Sequence, residues 1–371
     1  MLLLLLACTG ADDKKTQPAL SGIGALGHES HDLGGVAFEQ MASSSDGLDV
    51  PRDLEFNPEV AGELWIVNRA DDSVTILFDA GTDAQTSTHI VDPYAEHFME
   101  EVSSLSFGKP GHFGTCQESR NTYNDKQRPN DFMGPTLWSS DLAIFGESNP
   151  AAVDYVSALF GFYADLGSHL DMLHESPLCM GIAWETENVY WVFDGMNSSL
   201  SRYDFAEDHG AGYDDHSDGV IGRYVEGEVE RVEDVPSHMV FDHDTALLYV
   251  ADTGNNRVAV LDTATGTQGD KIRASEPGVK QFAWDDAEIW TFIEGSEVGW
   301  GRPSGLALFD GVLYVGDNAT GNLVAYDVQT GEMIDWIPTG LGGLMGIEVV
   351  SEDEIWLTDA ASDAVYRLTT L

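Results

Sequence analysis

Leu248-Tyr249-Val250-Ala251-Asp252-Thr253-Gly254-Asn255-Asn256-Arg257-Val258 follows Pro236-Ser237-His238-Met239-Val240, and the pair decides the fold. It is a short apolar run, a turn, a second apolar run ending in Asp, and a polar turn into a third run. The phrase returns as Pro303-Ser304-Gly305-Leu306-Ala307 with Leu313-Tyr314-Val315-Gly316-Asp317. It returns again as Met345-Gly346-Ile347 with Ile355-Trp356-Leu357-Thr358-Asp359, and as Met180-Gly181-Ile182-Ala183 with Val189-Tyr190-Trp191-Val192-Phe193-Asp194. Weaker copies begin at Pro51 and Ser103. Such a unit cannot bury its own apolar faces, so copies must stack.

Six copies, about 59 residues apart on average, predict an all-β chain folded as a six-bladed β-propeller. Long loops at 116–135, 147–178 and 205–219 absorb the surplus length. The last copy supplies only three strands before the chain stops. The strand-like run Gly35-Val36-Ala37-Phe38-Glu39-Gln40-Met41 is therefore expected to complete the last blade and remove its open edge. Helical spacing appears once, between Asn149 and His174.

The 248–258 run resembles an NHL repeat, and the resemblance extends over roughly residues 51–371. It implies an NHL-like six-bladed propeller. It does not imply one function, because such propellers include protein-binding, RNA-binding and enzymatic members. An amidating lyase of this type holds zinc on the axis with three histidines. The matching positions here are Asp53, Ser104, Gly181, His238, Gly305 and Gly346, of which one is a histidine, so that zinc site does not carry over.

Met1 to Ala7 is almost pure leucine, and Leu5-Leu6-Ala7-Cys8 fits a bacterial lipobox. The chain then divides into a signal segment (1–8), a flexible tether (9–32) and the propeller (33–371). This reading places the protein outside the cytoplasm as a periplasmic or outer-surface lipoprotein, held to a membrane only through lipid on Cys8. An ordinary cleaved signal is the competing reading. Cys116 and Cys179 fall on neighbouring blades at the same face, which predicts a disulfide suited to an oxidising compartment.

Seventeen basic residues face 64 acidic ones, for a formal net charge of −47. Nucleic-acid phosphates require cationic contacts, so nucleic acid is excluded as a partner. The remaining partners are a protein or a small ligand.

Three groups of residues carry candidate chemistry. On the face where the inner strands begin, an imidazole at His238 departs from the repeat, with Arg52, Asp53, Ser104, Met180, Ser304 and Met345 around it. Glycines at Gly181, Gly305 and Gly346 leave room there for a ligand, and Glu118 and Arg120 extend the same face. In the loop before the third blade, His169 and His174 flank an Asp and suit zinc or copper. Asp208, His209, Asp214, Asp215, His216 and Asp218 form an acidic loop suited to calcium, expected on the opposite face from His238. Asp194, Asp252, Asp317 and Asp359 recur with the repeat, which assigns them to turn structure. No nucleophile elbow, phosphate loop or His-Glu-x-x-His occurs. The sequence thus predicts a binding or scaffold propeller, with a metal-dependent lyase or hydrolase centred on His238 as the alternative.

Overall fold

The computed structural model describes residues 22–122 and 128–371. Each copy of the repeat forms one antiparallel sheet. The inner strands are Pro51–Phe56, Val102–Phe107, Cys179–Thr186, Met239–Asp242, Pro303–Phe309 and Leu344–Ser351. Six sheets in a ring make a six-bladed β-propeller. The core lies between blades: Trp65 of the first packs edge-on against Phe107 and Phe113 of the second. No helix among the described residues is long and apolar enough to cross a membrane.

Closure follows the expected route. Val36–Ala42 pairs antiparallel with Ala364–Thr370, in a register running from Val36 opposite Thr370 to Ala42 opposite Val365. The last blade is thus completed from the opposite end of the chain, and its edge is hydrogen-bonded. Residues 22–32 do not behave as a tether. Ala25 and Leu26 are fully buried, and the backbone N–H groups of Ile23 and Glu29 both donate to Asp335. The apolar Ile23-Gly24-Ala25-Leu26 stretch seals the outer part of the last two blades.

The recurring aspartates act as staples. Asp317 accepts the Gly301 and Arg302 amides of the incoming loop and the Thr320 amide of its own turn. Asp359 accepts from Gly343, Asp252 from Glu230, and Asp194 from Asn197. Each carboxylate fixes a turn, as the periodicity indicated.

Two features depart from the simple repeat. The helix is shorter than the spacing predicts, covering Pro150–Phe160; Asn149 caps it, and Gly161 at φ +77° ends it. The second departure is an inserted hairpin, Thr267–Ile272 and Lys280–Asp285, between the third and fourth strands of the fourth blade. It leaves its own blade and pairs in parallel with Val220–Tyr224, making the third sheet six-stranded. Its tip reaches the second and third blades, where the Ser275 and Glu276 amides donate to Glu175.

Cys116 and Cys179 are joined as a disulfide with a Cα separation of 5.2 Å. Ser103 supports the junction, its hydroxyl donating to the Cys179 and Cys116 carbonyls.

Candidate functional site

The central channel is closed at one end and open at the other. At the closed end the inner strands begin, and their first residues are buried. Burial falls toward the strand ends, as in Pro51–Phe56 and Pro303–Phe309. The glycines at the closed end have a structural cause. A Cβ on Gly181 would lie 2.0 Å from the Ser237 carbonyl oxygen, and one on Gly305 2.1 Å from that of Met345. Gly346 likewise meets the Asp53 Cα at 2.9 Å. Neighbouring backbones touch there, so these glycines permit blade contact and do not provide ligand space, contrary to the expectation from sequence.

A buried ionic cluster surrounds Arg52 at that end. Arg231 Nη1 donates to Glu118 at 3.0 Å, as does the Asp234 amide at 2.9 Å. Arg52 lies 3.9 Å and Arg69 3.6 Å from the same carboxylate. Burial lowers the Arg52 pKa to about 10, against the pull of Glu118, and burial raises that of Glu118 against Arg52. These charges are spent on one another. Ser104, Met180, Ser304 and Met345 are buried as well. Arg120 stands apart at the surface, paired with Asp131 at 2.6 Å.

Deeper along the axis the channel widens into a cavity of about 320 Å³. Of the residues proposed for the ligand face, Asp53 and His238 line it. Asp53 accepts the Leu54 and Leu105 amides and lies 3.7 Å from His238 Nδ1. Two acids that the sequence reading passed over also line it. Glu55 accepts the Phe107 amide, and Glu348 enters from the last blade. Burial and then their mutual repulsion lift Glu55 well above the usual carboxylate range; burial lifts Glu348 to about 8, with Asp53 adding to it. Phe107, Trp184 and Phe241 supply aromatic wall, and no Lys or Arg among the described residues lines the cavity. An acidic, aromatic cavity without Lys or Arg among its described lining residues favours a positively charged guest.

A second cavity, of about 270 Å³, lies off the axis and gathers the two metal-type loops. His216, expected on the opposite face, meets His174 here, their ring centroids 5.7 Å apart. The long 205–219 loop reaches the second blade, where its Gly212 amide donates to the His169 carbonyl and His216 meets Asp171, so strand parity did not fix where His216 ends. His97, from the short helix Ala95–Phe98, brings its Nε2 to 3.2 Å from that of His174. His174 Nδ1 lies 2.9 Å from Glu276, carried by the inserted hairpin. His216 Nδ1 lies 2.6 Å from Asp171 and its Nε2 3.5 Å from Asp214. Burial, then His174, takes His97 down to about 3. Burial opposes protonation of His216 as well, yet Asp171 and Asp214 hold it at about 10. His169 is buried against Phe98 at 3.6 Å between centroids, its Nδ1 2.8 Å from the Leu166 carbonyl oxygen.

The acidic loop itself divides. Asp208 turns away to His112 at 3.4 Å. Asp215 accepts the Ser217 hydroxyl at 2.8 Å. His209 Nε2 lies 2.9 Å from Asp218. Among the described residues, His238 lines the axial cavity, whereas His174 and His216 line the off-axis one.

No family model matches the chain, and no curated protein matches it by sequence. Solved structures match by shape. A luciferin-regenerating enzyme is 14% identical with a TM-score of 0.54, over 91% of this chain and 96% of that one. Virginiamycin B lyase from Staphylococcus aureus is 12% identical with a TM-score of 0.51, over 91% and 100%. An auxiliary nutrient binding protein from Bacteroides ovatus ATCC 8483 is 10% identical with a TM-score of 0.51, over 90% and 76%. At these identities the likeness is one of fold, shared by enzymes and binding proteins alike.

Proposed function

We propose that this chain is an exported propeller that binds a small organic cation in its axial cavity. The observation that carries the reading is the convergence of Asp53, Glu55 and Glu348 around about 320 Å³ lined by no Lys or Arg among the described residues. With the cavity empty, Glu55 and Glu348 resist ionisation. A bound ammonium group offsets that resistance, so binding releases protons and strengthens as pH rises toward 8 and beyond. Trp184 offers a π face to the same charge. The disulfide and the acidic, well-hydrated surface support export, and a lipid anchor at Cys8, which lies outside the described residues, would hold the protein at the envelope. Fatty-acid labelling that persists in a Cys8→Ser variant would remove the anchor from this reading.

Calorimetric titration of the full chain with putrescine and choline tests the ligand class. The expected result is binding that tightens between pH 6 and pH 9 and weakens at least about tenfold in Glu348→Gln, the loss expected when a charge-assisted contact is removed. Tight binding of an anionic or neutral solute in this cavity, unaffected by that variant, would overturn it.

A further inference from the structure

We infer a divalent transition-metal site, of the zinc class, at Asp171, His209 and Asp218. One carboxylate oxygen from each aspartate and one ring nitrogen of His209 lie within 4.8 Å of one another. Asp171 comes from the outer strand of the second blade, Asp171–Met172, while His209 and Asp218 come from the 205–219 loop of the third. The three therefore come from two blades, and Asp171 is not brought to the other two by local turn geometry.

A second observation is independent of this convergence. Asp171 is fully buried, and its Oδ1 is bonded to His216. Its Oδ2 is buried too and has no hydrogen-bond partner among the described residues. A buried carboxylate oxygen without a partner costs about 1–3 kcal/mol or more, unless something unseen satisfies it. A metal ion is suited to that place. It would take the free oxygen of Asp171, while His216 holds the other oxygen and fixes the carboxylate's orientation. His209 and Asp218, now 2.9 Å apart, would turn from each other to the ion. The far nitrogen of His209, 4.0 Å from Asp215, would keep an acidic neighbour that orients the ring.

The donor set decides the class of ion. One imidazole and two carboxylates suit zinc, cobalt or manganese better than calcium, which takes six to eight oxygens. The same donor set argues against calcium, the ion that the run of aspartates suggested for this loop. Of that run only His209 and Asp218 take part. Both are accessible to solvent, so a fourth position is open to water. The ion would clamp the acidic loop onto the second blade and offset the charge of two converging carboxylates in a strongly anionic protein.

The test uses tag-free, disulfide-intact full chain stripped with chelator and dialysed against Zn²⁺, Co²⁺ or Ca²⁺. One Zn²⁺ per chain is expected, with Co²⁺ giving the visible absorbance of a four-coordinate site. Asp218→Asn and His209→Gln, both at accessible positions, should each weaken Zn²⁺ binding at least about 30-fold while leaving the far-ultraviolet spectrum and melting profile of the metal-free protein unchanged. Three results would overturn the inference: no Zn²⁺ at micromolar concentration, Ca²⁺ bound as tightly as Zn²⁺, or Zn²⁺ whose binding survives both variants and is lost in His97→Ala. The last would move the metal to the His97–His174 cavity. If His209→Gln does not fold, Asp218→Asn alone decides.

Discussion

Reducing the Cys116–Cys179 bridge should lower stability without changing the fold. The closed loop spans 63 residues of sequence separation. In the chain-entropy description such a loop restricts the unfolded state by about 4 kcal/mol, and measured bridges typically give about 2–4 kcal/mol. The folded state should lose little. Ser103 continues to join the two carbonyls, and both cysteines are buried in a packed cluster. At about 2.1 cal/mol/K of unfolding entropy per ordered residue, a chain of this size should lose about 3–6 °C in melting temperature. The assay is a pair of urea titrations, on oxidised and on reduced, alkylation-protected protein, with Cys116→Ala/Cys179→Ala as a third arm. The effect should fall on the midpoint, with the slope increased because the reduced chain unfolds to a more open ensemble. Equal midpoints for oxidised and reduced protein, or two free thiols by mass spectrometry under non-reducing conditions, would refute the reasoning.

Removing residues 30–45 exposes the Ala364–Thr370 edge and should convert monomer to aggregate, which light scattering would show; a monodisperse deletion would count against closure as the function of that strand. Glu118→Ala leaves Arg52, which is 1% exposed, beside Arg69 and Arg231 with only the Asp234 carbonyl and a carboxylate 3.8 Å away, and should cost about 3 kcal/mol in urea unfolding. Glu348 is held neutral in the empty fold. Its contribution is therefore fully present below the ordinary carboxylate pKa and lost as pH rises through about 8, so the ligand-free protein should weaken across that window and Glu348→Gln should flatten the profile. A midpoint independent of pH between 5 and 9 would contradict it.

The fold was legible because stacking leaves a periodic record. Asp252, Asp317 and Asp359 recur where each blade needs a turn carboxylate, and the missing strand of the last copy pointed to Val36–Ala42. The inserted hairpin was not legible. Nothing local in Lys280–Asp285 says that it pairs with Val220–Tyr224 of another blade, with Thr267–Ile272 on its far side. Glu276, carried by that hairpin, was lost with it. His97 stood alone in a segment without pattern.

The axial acids could have been read. Asp53, Ser104, Gly181, His238, Gly305 and Gly346 form one inward register. Side chains alternate along a strand, so the next inward register lies two residues on. There the chain has Glu55, Ser106, Ala183, Val240, Ala307 and Glu348, and all six line the cavity. At the first register, blades touch through backbone, and small residues follow from contact. At the second, the blades have diverged and side chains face open space. An irregularity at the first register reports on packing, and one at the second reports on what the space holds. Two glutamates among four small or aliphatic residues, on the adjoining first and last blades, are therefore the stronger functional signal. The imidazole of His238 takes its meaning from them, as a neighbour of Asp53 at the point where the channel begins to widen.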